Sequence, residues 1–303
     1  MKKRFNHFTL QADEGITFEV SELGKDGLVI KAMHSIVVPN AYSNGFMNPP
    51  VPAGYRHLEG NWATGFVVER EADGSQFVWV PVGSLPADGT LDGEHFLEKF
   101  GRRAYQHENL AEKEFFEPLE GELAEQLESV KKYGGFYVSR YDISKGADGM
   151  PQSVAGAEPW VFVTFDEAQN LASTMETGAA LHSHMLYGAE YDTVLAWFIN
   201  SSARTLAEVA EDSTVWGNHW NTENAPQCVV TTGSNEAWST NGIYDLAGNV
   251  DEWTQERSGN SMVIVRGGNY NYEGSFCPAA YRCGMHKFRS FNNTSFRVAL
   301  YIK

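Results

Sequence analysis

The chain has 303 residues, of which 42% are hydrophobic, 20% charged and 13% aromatic, a composition that allows a sizeable core in one large domain with an extension, or in two domains. A formal charge of −16 repels phosphate backbones and anionic lipid, so nucleic acid and membranes are excluded as default partners in favour of a neutral or cationic ligand. Three cysteines, Cys228, Cys277 and Cys283, exclude a disulfide framework and stand in no zinc-site spacing.

The basic start, Met1 to His7, has no apolar run behind it and does not read as a signal peptide, and no stretch approaches about 18 apolar residues. The expected setting is cytoplasmic, or virion-associated if the chain is phage-encoded, without membrane insertion. Ile16–Val20 and Leu28–Met33 are β-rich around the turn composition Gly24-Lys25-Asp26-Gly27, so residues 1–45 read as a β-rich extension. The proline-dense run at 48–54 makes the boundary, and 46–303 form the main domain.

Residues 65–70 and 76–80 flank Ala72-Asp73-Gly74-Ser75 as a hairpin. Leu119, Leu123, Leu127 and Val130 recur at helical spacing, and Gly134-Gly135 stops that helix before a strand at 136–141. Thr164 and Glu167 have capping-box spacing ahead of a second helix, and a third starts near Gly188 with Tyr191, Val194, Leu195 and Phe198 on it. His182-Ser183-His184 reads as two imidazoles on opposite faces of an extended chain, with a surface or capping role rather than a metal site. After Ser201 the chain turns to Gly, Asn, Ser, Thr and Trp, and loops held between short strands such as 263–265 and 297–300 are expected.

Two blocks carry a likeness. One runs from Asn241-Gly242-Ile243-Tyr244-Asp245-Leu246-Ala247-Gly248-Asn249-Val250-Asp251-Glu252-Trp253 to Thr254. The other runs from Val265-Arg266-Gly267-Gly268-Asn269-Tyr270 to Ser295-Phe296-Arg297-Val298-Ala299. With Phe77–Val82, Gly135–Ile143 and Pro159–Val161 upstream in the same order, they resemble the formylglycine-generating-enzyme, or sulfatase-modifying factor, family. The resemblance covers about 50–303 and implies an α+β, loop-rich C-type-lectin-like fold.

On physical grounds Tyr244 and Trp253 suit apolar space with their polar tips bonded, and Arg266 and Arg297 suit tying loop carbonyls or carboxylates such as Asp245. The resemblance also implies a calcium turn, as in some relatives, made by the carbonyls of Gly248 and Val250 with Glu252. One carboxylate makes a weak site, so hydrogen bonding of Asn249 and Glu252 within the loop is the preferred reading and no cofactor is required.

Oxidases of the family hold copper between two cysteines about five residues apart, soft ligands that suit this metal. Here Tyr272 stands at the first position and Cys277 at the second. The expectation is therefore a protein without catalysis. The alternative is a divergent copper oxidase that acts on a cysteine-containing peptide through Cys277 and Cys283, six apart.

The stretch 269–293 mixes aromatic, small and asparagine residues without periodicity, the composition of a binding surface. It resembles the variable region of diversity-generating-retroelement target proteins, here about 265–303, in which adenines of asparagine codons are mutated. Tyr272, Phe276, Cys277, Tyr281, Cys283, Gly284, His286, Phe288 and Phe291 are reachable from such codons, while Glu273, Met285 and Lys287 are not. The residues expected to meet a ligand are Tyr272, Glu273, Phe276, Cys277, Tyr281, Cys283, Met285, His286, Phe288, Ser290 and Phe291, with Tyr270 in the core. Cys277 is read as a product of diversification. The ligand is a protein or a glycan.

Overall fold

The computed structural model of the protein describes residues 17–20, 30–33, 49–61, 65–82, 100–105, 115–117, 121–259 and 262–303. Within the N-terminal segment, β1 (Thr17–Val20) and β2 (Ile30–Met33) pair antiparallel, Thr17 opposite Met33. The domain's first strands are β3 (Tyr55–Glu59), β4 (Phe66–Arg70) and β5 (Gln76–Pro81), followed by β6 (Phe115–Phe116). Helix α1 (Glu122–Tyr133) ends on Gly134, whose φ of 78° lets its N–H close onto the Val130 carbonyl before β7 (Gly135–Ser139).

A short hairpin of β8 (Ser144–Lys145) and β9 (Pro151–Gln152) precedes α2 (Phe165–Thr174). The Thr164 hydroxyl accepts from the Glu167 N–H while the Glu167 carboxylate accepts from the Thr164 N–H, the reciprocal cap read from the sequence. Then come β10 (Leu181–Met185), α3 (Gly188–Asn200) and α4 (Leu206–Ala210). The last third holds β11 (Ser239–Thr240), β12 (Ile243–Tyr244), β13 (Asp251–Ser258), β14 (Met262–Arg266), β15 (Cys283–His286), β16 (Thr294–Phe296) and β17 (Val298–Ile302).

A six-stranded antiparallel sheet in the order β10-β17-β7-β5-β4-β3 is covered on both faces, which explains the continuous apolar run Phe77 to Val80. Val78, Val80, Phe136 and Val138 point to one core with Leu127 and Val130 of α1 and Tyr191, Val194 and Phe198 of α3. Phe77, Trp79 and Tyr137 point to the other, with Phe165, Ala168 and Ala172 of α2 and with Trp253, Val263, Val265 and Phe296 of the second sheet. That second sheet has the order β15-β14-β13-β16, with β6 also on β13.

The last strand, β17, lies between β10 and β7, inside the first sheet. Both ends of the segment 267–293 are thereby fixed, by β14 before it and by β16 and β17 after it.

Two expectations are corrected. His182 and His184, two apart on β10, share a face, since side chains of a strand alternate. Both rings lie 5.4 Å from Tyr301. His184 is buried and its Nε2 meets Glu190 at 2.9 Å, a carboxylate partner rather than a surface position, and that carboxylate holds its pKa above the usual imidazole range against the pull of burial. The loop-only reading after Ser201 missed α4, which Thr205 and Glu208 cap as Thr164 and Glu167 cap α2.

Candidate functional site

Beneath the loops lies a layer of buried charge. Arg297, fully buried, donates to Glu252 Oε1 at 2.9 Å, to Asp142 Oδ1 at 3.3 Å, and to the carbonyls of Ser139 and Tyr244 at 2.9 and 2.8 Å. Burial raises the pKa of Asp142 well above the carboxylate range, and the charge of Arg297 opposes it. Asp245 accepts from the Gly233 N–H at 2.8 Å and has no hydrogen bond to either arginine, so the expected tie to Asp245 is replaced by those to Glu252 and Asp142. Tyr244 donates to Glu236 and Trp253 to the Val163 carbonyl, at 2.6 and 3.1 Å, each ring having its polar tip bonded.

In the turn at 248–252, Gly248, Val250 and Glu252 are all buried, and Glu252 Oε1 is engaged by Arg297. Asn249 spends its side chain on the loop: Oδ1 accepts from Asn218 Nδ2 and the Val230 N–H, and Nδ2 donates to the Val230 carbonyl. Among the described residues no three His, Cys, Asp or Glu side chains are grouped to hold a metal ion.

A second network ties the segment 267–293 down. Arg282 donates to both oxygens of Glu256, at 3.1 and 3.0 Å, and to Asp192. Arg266 donates to Asp192 Oδ1 at 2.6 Å and to the Ala280 carbonyl at 3.2 Å, with its guanidinium over the Tyr191 ring. Gly268, at φ 72°, lets the chain cross itself: a Cβ there would lie 2.3 Å from the Cys277 carbonyl oxygen. Ala279, Ala280 and Arg282 are buried, so the segment's backbone is fixed while some of its side chains point outward.

Those outward side chains fall in two groups, Tyr272, Phe276 and Tyr281 in one and His286 and Phe288 in the other. Tyr272 is 48% exposed, Phe276 64%, Tyr281 36% and Phe288 71%. Ring centroids lie 5.8 Å apart for Tyr272 and Phe276, 6.5 Å for Phe276 and Tyr281, and 5.3 Å for the stacked pair His286 and Phe288. Glu273, Gly284, His286 and Ser290 are exposed and Phe291 is half-buried. Trp220, half exposed, lines a depression with Tyr272 and Phe276 and was not singled out from the sequence; nothing local marks a lone tryptophan some fifty residues upstream.

Three of the expected contact residues stand elsewhere. Cys277 is buried against Gly268, so its volume is constrained and it is not a freely varied contact. Cys283 and Met285 alternate inward on β15 and pack on the second core, while Gly284 and His286 face out. Tyr270, expected in the core, is half-buried and accepts from Asn292 Nδ2 through its hydroxyl at 3.3 Å.

The copper pair is not reproduced at the expected spacing. Tyr272 offers an exposed phenol, and burial, with Asp251 and Cys283 adding to it, pushes the Cys277 thiol up to about 12. The Cys283 thiol is raised by the same burial.

A family model described as the sulfatase-modifying factor enzyme 1-like domain matches residues 71–302. Among solved structures, Treponema denticola variable protein 1 is similar at 12% identity over 55% of this chain and 84% of that one, with a TM-score of 0.39. PvdO from Pseudomonas aeruginosa is similar at 16% identity over 78% and 97%, with a TM-score of 0.47. CarF is similar at 16% identity over 56% and 87%, with a TM-score of 0.43. A search of curated proteins finds no match.

Proposed function

The chain belongs to the sulfatase-modifying factor family, with its C-type-lectin-like α+β fold, and from that premise we propose that it is a binding protein without catalysis, whose exposed face at 272–291 is diversified at the DNA level. The observation that carries this reading is the division of labour within one segment. Tyr272, Phe276, Tyr281 and Phe288 are exposed, whereas Ala279, Ala280 and Arg282 between them are buried and bonded. Large aromatic rings with few rotatable bonds, held out by a fixed backbone, bring contact area at low entropic cost.

The partner is a protein or a glycan. The calcium turn remains a lesser proposal, tested by whether calcium raises Tm. Diversification is tested in the genome. A reverse-transcriptase gene nearby, with a near-copy of the 3′ coding region differing at adenines under Tyr272, Phe276, Tyr281, His286 and Phe288, is the expected finding. A locus with neither abandons the diversification claim.

A second reading, a copper oxidase on a cysteine-containing peptide, draws on the proximity through which Cys283 raises the Cys277 pKa. Soft thiolates in a pair suit copper(I). Stoichiometric tight copper(I) binding by the reduced chain, lost in Cys277→Ser, favours this reading; the binding-protein reading expects no such binding.

A further inference from the structure

Within the exposed face lies a depression of about 390 Å³ lined by Trp220, Asn271, Tyr272, Glu273 and Phe276. Three of the five lining residues are aromatic. The rings of Tyr272 and Phe276 are inclined at 36° to each other, and Trp220 lines the same depression from a separate loop. Ring faces carry negative electrostatic potential and attract cations. Glu273 adds a carboxyl group to the lining, and among the described residues it makes no salt bridge.

The walls are held in place before any ligand arrives. The Trp220 N–H donates to the Tyr272 carbonyl at 2.9 Å, which fixes one wall to the other. The Gly274 N–H donates to Asn221 Oδ1 at 3.0 Å, and its carbonyl accepts from the Ser213 N–H at 3.1 Å. A side chain at 274 would meet the Thr214 nitrogen at 2.4 Å, so this turn is pressed onto the neighbouring loop. A preorganised site loses less on binding.

The geometry points to an arginine side chain of a protein partner as the occupant, its guanidinium stacked among Trp220, Tyr272 and Phe276 and paired with Glu273. This rests on the ligand-binding reading above and names its chemistry. A guanidinium is planar, weakly hydrated and forked, so it stacks on rings and donates to a carboxylate at once; a strongly hydrated ammonium would give up more water for a depression open to solvent. The excess of acid over base in the whole chain, −16, draws a cationic partner in the same direction. Neither Trp220 nor Glu273 is reachable from a mutated asparagine codon, whereas Tyr272 and Phe276 are. On the diversification reading Trp220 lies outside the variable region and Glu273 is either fixed or comes from another template codon, while the variable rings set how tightly the cation is held.

The full chain is titrated with Nα-acetyl-arginine methylamide and with the citrulline analogue, which has nearly the same shape and no charge, by ligand-observed NMR and calorimetry. The arginine compound is expected to bind weakly, in the millimolar range, and citrulline about ten-fold more weakly. Glu273→Gln, with its Tm unchanged, brings arginine down to the citrulline level, and Trp220→Ala removes binding of both. Equal binding of the two compounds, or no effect of Glu273→Gln, overturns the cation preference and leaves ligand binding by the face standing. No binding of the arginine compound overturns the inference alone, since diversification is judged by its genomic template.

Discussion

Arg297 sits among Glu252, Asp142 and the carbonyls of Ser139 and Tyr244, four acceptors arranged around one planar fork. A lysine carries one point charge there and leaves acceptors unmet in a dry site. Arg297→Lys is expected to cost about 3–5 kcal/mol in urea unfolding, the size seen when a buried pair is broken, and a loss below about 1 kcal/mol would show that the network is not structural. Glu117 gives a pH test. Its carboxylate accepts from the Gly188 and Ala189 N–H groups at 2.7 and 2.8 Å, yet burial, with Glu256 adding to it, pushes its pKa up to about 8. The unfolded chain releases that proton near pH 4.3, so the contribution is complete below about 4.3 and is lost as pH rises through the folded value. Glu117→Gln cannot lose a proton, so its Tm relative to the parent is expected to rise by several degrees between pH 5 and 9; a constant difference would contradict the raised pKa.

At the scale of elements, periodicity in the sequence located α1, α2 and α3, because each runs for several turns, and α1 has a glycine stop and α2 a capping box written beside it. Helix α4 has only five residues, too few to show a period, and its Thr205 and Glu208 cap was the one local signal. Thr164→Ala is expected to lower stability by about 1 kcal/mol by freeing an N–H of the first turn of α2, readable by thermal unfolding; no change would mean that water replaces the hydroxyl. Strand β15 makes a sharper test, because its alternation assigns neighbours to opposite roles. Met285→Asp buries a charge against the second core and is expected to destabilise by more than about 3 kcal/mol, whereas His286→Asp one residue on stays within about 0.5 kcal/mol. Similar losses at both positions would mean that β15 does not divide the segment into an inner and an outer face.

For the molecule as a whole, the order of motifs made the fold legible: the block at 241–254 leads from β12 into β13, and the block at 265–299 passes from β14 of the second sheet to β17 of the first. The site was only partly legible. The residues named from 269–293 include Tyr272, Phe276, Tyr281 and Phe288, which stand exposed, but also Cys277, Cys283 and Met285, which pack inward, because side-chain direction depends on partners far away in sequence. Arg282 is withdrawn by Asp192, 90 positions earlier, Cys277 by Gly268, and Trp220 reaches Tyr272 from another loop. Among the described residues no helix is long and apolar enough to cross a membrane. The central claim is that this fold holds one backbone while the side chains of a face change. Its most direct test replaces Tyr272, Phe276, Tyr281, His286 and Phe288 together by asparagine and follows thermal unfolding by calorimetry. A single cooperative transition within a few degrees of the parent is expected, since exposed positions away from the core contribute about 0.5 kcal/mol or less each. A fall of more than about 15 °C, or loss of the cooperative transition, would contradict it by showing that these rings hold the fold together rather than face a partner.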